Sequence, residues 1–395
     1  MYGVYILQAI IGFHITDHTI HISNGYTCPN APYIDFIINA ATNNISLCYH
    51  LDFFISRLLK LIQLTDKQLI QLHNTSELST HGYKFKFVPK KFFSIIKEDK
   101  FVVLSDASQY MERYDLLGDP LEKAKEAQKV GVQVYNALSR LGLHPSSLVS
   151  PISAFDKEMF SKLDLPELED IPEEASEYAY NCCHGPWIEA FQKGSWDKVY
   201  DLDIVSAYPF QLTKCIDTRK GTWLKSDKWD ESAYYGYCKG IVNITADFSP
   251  IIYSKTNEMS YTPKGEWETF LNKKEIEFIR KYNIGDFELE SAWYFYPTEI
   301  VYPLKKMMDW LYIKKESSTG MTRKIVKRIM SGTWGRCLQV DFGEVAGEFF
   351  NASWGNEVET GTRLDVAKFV IDNQLEDYLL SIAVDGVLVT KEVKL

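Results

Sequence analysis

WDKVYDLDIVSAYPFQ, residues 196–211, is the stretch on which the predicted fold depends. Its aromatic and β-branched residues predict a buried strand that ends at Asp203. Asp201 and Asp203 interrupt one face of that strand, so an edge strand with a solvated acidic face is the alternative interpretation. The Ser-Ala-Tyr-Pro at 206–209 predicts a tight turn whose backbone N–H groups and ring can meet a phosphate and a sugar. The sequence thus places a carboxylate directly before a turn suited to a nucleotide.

This stretch resembles the first palm motif of family B DNA polymerases, an Asp followed after two residues by Ser-Leu-Tyr-Pro. The matching residues are Asp203, Ser206, Ala207, Tyr208 and Pro209. The resemblance implies that Asp203 and the carbonyl of Ile204 bind metal. It also implies that Ser206 to Tyr208 bind the nucleotide, with Tyr208 stacking under the sugar and clashing with a 2′-OH.

A basic helix is predicted at residues 321–335, MTRKIVKRIMSGTWG, where Lys or Arg occupies four of the six positions from 323 to 328. A solvated basic face is the simplest explanation of such a helix. The segment resembles the family B fingers motif, Lys-x-x-x-Asn-Ser-x-Tyr-Gly. The matching positions are Lys327, Ser331, Gly332, Trp334 and Gly335.

The fingers resemblance assigns roles to these residues. Lys327 would bind the incoming triphosphate, with Arg323 and Lys314 assisting. Ser331 and Trp334 would face the nascent base pair. Gly335 would contact the template or primer, together with Tyr180, which stands at the place of an aromatic-glycine motif whose glycines are replaced by Cys182 and Cys183.

The third motif is LLSIAVDGVLVT at 379–390, for which a β-hairpin with its turn around Asp-Gly is the simplest prediction. It resembles the family hairpin Tyr-x-Asp-Thr-Asp-Ser, with Ala383 at the first Asp, Asp385 at the second and Gly386 at the Ser. The resemblance implies that Asp203 and Asp385 are the catalytic pair. They would bind two Mg²⁺ ions, for which Mn²⁺ can substitute, and the missing first Asp would lower activity.

Residues 1–163 mix short apolar runs with helical patterns and predict an α/β layer. The family resemblance implies an RNase H-like 3′–5′ exonuclease domain in degenerate form. Its first Asp-x-Glu motif has no counterpart, His50 and Phe53 or Phe54 stand near the second, and only Asp119 matches the third. Because two-metal hydrolysis needs several converging carboxylates, we expect a structural domain without proofreading. A domain that was never an exonuclease is the alternative.

The expected fold is therefore α/β followed by α+β: an RNase H-like N-terminal domain, then a polymerase palm of antiparallel sheet and helices with short helical fingers. The predicted ranges are 1–163 for the exonuclease-like domain, 164–195 for an acidic linker with the template-contact motif, 196–304 for the palm with an insertion, 305–340 for the fingers and 341–395 for the second part of the palm, with no recognisable thumb. Residues 257–335 best match the order of elements in the protein-primed, bacteriophage-type branch.

Composition limits the location of the protein. With 46% apolar and 14% aromatic residues the chain can form ordinary cores, and its net charge of −10 argues against a basic coat over the whole surface. The seven cysteines show no C-x-x-C spacing, which favours a reduced cytoplasm over a disulfide-forming compartment and gives little support to a zinc site at 181–185. The sequence predicts neither a signal peptide nor a membrane span, so we expect a cytoplasmic protein, in the host cytoplasm if the chain is viral.

The leading hypothesis is a DNA-directed DNA polymerase of viral or mobile-element origin that acts on primer-template DNA and dNTPs. Without a thumb it would need a separate chain, or a terminal or priming protein, to grip DNA, because affinity comes mainly from phosphate contacts. Two alternatives stay open. One is a catalytically weak or inactive nucleic-acid-binding subunit, and the other is a template-independent nucleotidyltransferase.

Overall fold

The computed structural model describes residues 9–17, 19–29, 32–80, 82–254, 260–341 and 345–393. The chain divides into two units. Unit 1 is Met1–Lys162 with Lys315–Ile329, and unit 2 is Leu163–Lys314 with Met330–Leu395. The short segment at 315–329, predicted as part of the fingers, therefore groups with the N-terminal residues.

The sheet of unit 1 is mixed. Its strands are β1 (Ile10–Ile15), β2 (Ile20–Ile22), β3 (Thr27–Cys28), β4 (Ile45–Cys48), β5 (Glu77–Thr80), β6 (Tyr83–Val88), β7 (Phe92–Lys97) and β8 (Lys100–Asp106). They lie in the order β3-β2-β1-β4-β8-β7-β6-β5. The pairs β1–β4 and β4–β8 are parallel, and the other neighbours are antiparallel. This is the α/β layer that the hydrophobic pattern predicts.

The helices of unit 1 before residue 163 are α1 (Tyr33–Ala41), α2 (Leu51–Leu61), α3 (Asp66–Thr75), α4 (Pro120–Ser139) and α5 (Pro151–Glu158). The long helix α4 begins where the sequence predicts, because Asp119 accepts a hydrogen bond from the Leu121 N–H at 2.8 Å and Pro120 supplies a helical φ. It packs directly on β1. A Cβ on Gly12 would overlap the Ala124 carbonyl, so only glycine allows this approach.

Unit 2 contains two four-stranded sheets. Its strands are β9 (Ile188–Ala190), β10 (Tyr200–Asp203), β11 (Gly221–Ser226), β12 (Tyr235–Ile244), β13 (Gly265–Asn272), β14 (Gly285–Pro297), β15 (Val340–Asp341), β16 (Val345–Ala346), β17 (Leu379–Ala383) and β18 (Gly386–Val389). The first sheet has the order β10-β18-β17-β9 and the second β11-β14-β12-β13. Both are antiparallel throughout.

The remaining helices are α6 (Glu173–Asn181), α7 (Ala207–Leu212), α8 (Lys273–Tyr282), α9 (Lys305–Glu316), α10 (Gly320–Cys337) and α11 (Ala352–Asp372). Helix α11 covers one face of the first sheet, where Val366, Ala367 and Val370 join one apolar core with Ile382 and Val387. That helix and sheet form the framework for the candidate site. Among the described residues, no helix combines the length and apolar character needed to cross a membrane.

One sequence prediction needs correction. The strand expected to be buried, β10, is the first strand in its sheet, and Asp201 and Asp203 are both exposed. The edge-strand alternative is therefore right, because an unpaired edge lets water solvate the acids. The acidic stretch at 164–178, expected as a linker, contains the start of α6, which begins at Glu173 with acids in its first turn, where the helix dipole favours them.

Candidate active site

Two aspartates lie at the same end of neighbouring strands in unit 2. Strand β10 pairs antiparallel with β18, and this register places Asp203 opposite Gly386. The Ile204 N–H then donates to the Asp385 carbonyl at 3.0 Å. A Cβ on Gly386 would lie 3.5 Å from Asp203 Oδ1, so that carboxylate lies directly beside the hairpin. The pairing of strands brings Asp203 and Asp385 together, as the motifs predict.

Both aspartates line one half-open cavity of about 190 Å³. The other lining residues are apolar: Leu202, Ile204, Val366, Phe369 and Val387. Carboxylate oxygens are the ligands that Mg²⁺ prefers, so the pair fits this ion chemically. No cluster of three or more His, Cys, Asp or Glu suited to a metal occurs in the described part of the chain. The site therefore offers two carboxylates, with Ala383 at the place of a third.

The hairpin loop differs by one residue from the predicted Asp-Gly turn. Ala383 pairs with Gly386, so the two loop residues are Val384 and Asp385. Val384 adopts the left-handed conformation with φ 65°, which is strained for a β-branched residue, and its N–H donates to the Trp187 carbonyl at 2.8 Å. This conformation fixes the position of Asp385 in the loop.

The predicted turn after Asp203 continues into a short helix. Ser206 has φ 57° and ends the extended segment, and α7 follows from Ala207. The Phe210 N–H donates to the Ser206 carbonyl at 2.9 Å, which closes the first turn. Pro209 is tolerated because it lies in that first turn, where its missing N–H has no helical partner to lose. Ser206, Ala207 and Tyr208 thus lie directly after the carboxylate strand.

The structure brings together two aromatic residues from separate motifs. Tyr208 stacks on Trp334, with ring centroids 4.7 Å apart and an interplanar angle of 26°. The Trp334 indole N–H donates to the Gly355 carbonyl at 3.1 Å, which fixes the orientation of the indole ring. Burial, with Glu359 and Asp385 nearby, raises the pKa of the Tyr208 phenol, so it stays protonated. The pair forms a flat, half-buried surface in the same unit as Asp203 and Asp385.

The other predicted contacts in unit 2 lie on the surface. Ser331 and Gly335 are exposed on α10, and a Cβ on Gly335 would meet open space. Tyr180 on α6 is 46% exposed, and its ring lies 5.9 Å from that of Phe350. The Lys314 ammonium lies 5.8 Å from the centre of the Trp310 ring. Ser331, Gly335 and Tyr180 are thus accessible from solvent, and Lys314 is partly buried.

Arg323 and Lys327, the predicted phosphate ligands, belong to unit 1. Arg323 donates to the Lys315 carbonyl at 2.8 Å and forms an ion pair with Glu316 at 3.4 Å. Lys327 is exposed one helical turn later. Glu316 therefore pairs with Arg323, one of the three cations that the sequence assigns to a triphosphate.

A buried ionic cluster was not predicted. Arg363 of α11 is 2% exposed and donates to Glu275 at 2.7 Å and to Glu359 at 3.5 Å. It also donates to the Gly185 carbonyl at 3.3 Å. Burial raises the pKa of Glu359, and Arg363 opposes that shift. A run of polar residues, NEVETGTR at 356–363, was the signal in the sequence, but its partners lie far away along the chain.

Acids in unit 1 cap backbone groups. Asp106 on β8 is 1% exposed and accepts from the N–H groups of Leu51 and Ser108 at 3.3 and 2.9 Å. Asp52 accepts from the Lys90 N–H at 2.9 Å, and Asp119 caps α4. These carboxylates accept hydrogen bonds from backbone N–H groups at helix ends and turns.

The cysteine pair at 182–183 also has a structural explanation. Burial raises the pKa of both thiols well above the usual range, which disfavours the thiolate that zinc requires. The neighbouring His184 places Nε2 2.8 Å from the Phe270 carbonyl. None of the seven cysteines forms a disulfide.

Solved structures of one polymerase resemble this chain closely in fold. Phi29 DNA polymerase complexed with primer-template DNA, a post-translocation binary complex, matches with a TM-score of 0.62 and 12% identity over 98% of this chain and 81% of that one. The same polymerase with primer-template DNA and incoming nucleotide substrates matches with a TM-score of 0.62 and 11% identity over 99% and 82%. No protein-family model and no curated protein matches the sequence. The chain therefore has a fold similar to that of phi29 DNA polymerase, at a sequence identity so low that the likeness concerns the fold alone.

Proposed function

We propose that this protein is a DNA-directed DNA polymerase that transfers nucleotides from dNTPs to a primer 3′-OH. The observation that carries the proposal is that Asp203, at the end of β10, lies beside Asp385, in the loop of the adjoining hairpin, in the unit that also contains the Tyr208–Trp334 stack. A fold similar to that of a polymerase solved with primer-template DNA and nucleotides supports it. Transfer of a nucleotide requires an accessible pair of carboxylates and a flat surface for a sugar and base, and unit 2 contains both.

Asp203, Asp385 and the Ile204 carbonyl are the groups that would bind Mg²⁺, or Mn²⁺ in its place. When bound, two such ions stabilise the charges on the attacking and leaving oxygens. Tyr208 supports the deoxyribose and excludes a 2′-OH by its position after Asp203. Its phenol is neutral at physiological pH, so it does not repel phosphates.

The remaining residues bind the nucleotide and the DNA. In this proposal Ser206, Ala207 and Lys314, with Arg323 and Lys327, bind phosphates. Ser331 and Trp334 support the nascent base pair. Tyr180 and Gly335 contact the template or primer. Arg323 would exchange its ion pair with Glu316 for a phosphate, because a dianionic phosphate is the stronger partner for guanidinium.

Three further features belong to this proposal. The enzyme lacks 3′–5′ exonuclease activity, because the acids described in unit 1 cap backbone groups. A separate chain, or a terminal or priming protein, contributes grip on DNA. The protein acts in the cytoplasm, that of the host if it is viral, as a member of the protein-primed type of family B polymerases.

Primer extension on a labelled primer-template with four dNTPs tests the proposal. We expect Mg²⁺- or Mn²⁺-dependent extension that copies the template, and a loss of at least ~10³-fold in Asp203→Asn and Asp385→Asn, since each removes half of the metal-binding charge. Asp201→Asn is the matched control, because Asp201 is also exposed on β10 but lies outside the cavity. Equal activity in all three variants would refute the assignment.

A nucleic-acid-binding subunit without catalysis is the second candidate, and Ala383 is the observation that favours it. This residue leaves the hairpin with a single carboxylate. If the chain binds primer-template with the same affinity in wild-type and Asp203→Asn forms and extends no primer, this candidate replaces the first. Addition of nucleotides without a template would instead indicate a template-independent nucleotidyltransferase.

A further inference from the structure

The first half of helix α10 packs against residues of the N-terminal part of unit 1. Arg140, at the end of α4, donates to Thr322 Oγ1 at 3.3 Å. Lys324 Nζ lies 2.6 Å from Glu112 Oε1. Arg328 donates to the Gln109 carbonyl. The four basic residues from 323 to 328 are therefore not one uniform stripe, because two of them, Lys324 and Arg328, have partners in the segment 109–112.

Arg328 has a rigid support. Its guanidinium carbon lies 4.9 Å from the centre of the Tyr110 ring, within range of a cation–π contact. Tyr110 is 4% exposed, and its hydroxyl donates to the Leu148 carbonyl at 2.8 Å. Burial and the hydrogen bond of its hydroxyl thus hold the Tyr110 ring in place, and one face of the ring contacts the guanidinium.

The two faces of the helix have different partners. Ile325, Val326 and Ile329 are fully buried. Arg323 and Lys327 lie one turn apart and are exposed, about 100° around the helix from Lys324 and Arg328, which pair with the segment 109–112. Glu112 also offsets one of four neighbouring positive charges, which would otherwise repel one another and weaken this helix.

We propose that Lys324 and Arg328 are positioning residues, which anchor α10 to Tyr110 and Glu112 so that Lys327 and Arg323 are presented in a fixed orientation to the triphosphate of an incoming nucleotide. This inference rests on the proposed polymerase function and gives the N-terminal segment a role in it other than cleavage. The anchor acts on nucleotide binding and not on the carboxylates of unit 2. Its loss therefore raises KM for dNTP and leaves kcat unchanged.

Charge reversal at the anchor tests this role. We expect Glu112→Lys to raise KM for dNTP about threefold, in line with an exposed ion pair, and Arg328→Ala to raise it roughly threefold to tenfold because a cation–π contact and a charge-assisted hydrogen bond are both lost. The double variant Glu112→Lys with Lys324→Glu restores the pair and returns KM to within about twofold of wild type. Glu126→Lys is the matched control, since it makes the same charge change at an exposed site on α4.

Hydrogen exchange of the backbone amides in 315–329, measured without substrate, separates this inference from the proposed function. Faster exchange in Glu112→Lys and Arg328→Ala, but not in Glu126→Lys, supports the anchor, and unchanged exchange overturns it. If exchange is faster while KM stays constant, the positioning role is overturned although the contact exists. A wild-type chain that incorporates no nucleotide would refute the polymerase assignment, and exchange would then decide the anchor alone.

Discussion

His14 is a buried titratable residue in the middle of unit 1. It lies on β1 with 4% exposure, stacked 5.8 Å from the Phe53 ring and edge-on to Tyr49 at 5.9 Å. Burial lowers its pKa from 6.5 to about 4, and the positive charges of His21 and Lys123 act in the same direction. The folded protein therefore contains a neutral imidazole across most of the acidic range.

This pKa predicts how stability depends on pH. Between pH 6.5 and about 4 the unfolded chain binds a proton at His14 that the folded protein does not. The free energy of unfolding therefore has its full value above pH 6.5 and falls by about 3 kcal/mol as the pH approaches 4. We expect His14→Phe to lose less stability than wild type over this interval, as measured by urea unfolding at several pH values. The exposed His73→Gln should follow wild type, and parallel curves for His14→Phe and wild type would contradict the prediction.

The sequence indicated candidate functional residues more readily than it indicated which residues they contact. Asp203 and Tyr208 could be singled out because an acid followed by Ser-Ala-Tyr-Pro resembles a known motif, although a solvated edge strand also explained the acid. The stacking of Tyr208 on Trp334 could not be derived, since the two lie on separate helices whose packing depends on α11. The ion pair of Arg323 with Glu316 was also unexpected, because a run of charged residues does not show which partner each side chain contacts.

Among the elements, α11 has the most unusual composition for its position. Every residue from Ala352 to Arg363 is buried, although many are polar. Arg363 neutralises Glu275 and Glu359, which are 0% and 3% exposed in their side chains. The helix is therefore stabilised by ionic and hydrogen-bonding partners where most buried helices have apolar ones.

Substitution of Arg363 alone should be costly. Arg363→Met leaves two buried carboxylates without a cation, and we expect a loss of about 3–5 kcal/mol in the free energy of unfolding, measured by tryptophan fluorescence in urea. Because protonation neutralises Glu359, whose pKa is already raised, the loss should shrink at acidic pH. The charge-free variant Glu275→Gln, Glu359→Gln, Arg363→Met should recover much of the stability. If it is less stable than Arg363→Met, the unpaired charges are not the cause.

Elements with an amphipathic stripe or clear caps could be predicted, and others could not. Helix α4 follows from Asp119, Pro120 and its apolar spacing. Helix α11 has no such stripe, because every residue of its first half, from Ala352 to Arg363, is buried, and Arg363 pairs with Glu275, which is distant in the chain. Strand β10 was assigned the wrong burial for a related reason: propensity identifies a strand, but only the order of strands decides whether it lies at an edge.

On the scale of the whole molecule, residues 315–329 depend on a distant part of the chain. Their contacts with Tyr110, Glu112 and Arg140 join segments that no local pattern connects, and the sequence predicted only that 305–340 form one fingers region. A fragment of residues 163–395 lacks these contacts. We expect trypsin to cleave it after Arg323, Lys324, Lys327 or Arg328 under conditions in which the full chain resists, because local unfolding exposes the bonds.

Mass spectrometry of the early peptides measures this difference. Cleavage after Lys368, which lies on α11 and is exposed in unit 2, serves as the control and should be similar in fragment and full chain. The prediction fails if the basic segment is cut at equal rates in both. That result would mean that unit 2 alone orders the first half of α10.

Helix α10 contributes residues to both units, and this sharing limits how the protein can evolve. If recombination replaced residues 1–162 with another domain, the new domain would lack Tyr110 and Glu112. Arg328 and Lys324 would then lose their partners. The two parts must then be inherited together, and compensating changes must appear in pairs on either side of the junction. Selection would then act on the segments 109–112 and 315–329 as one unit.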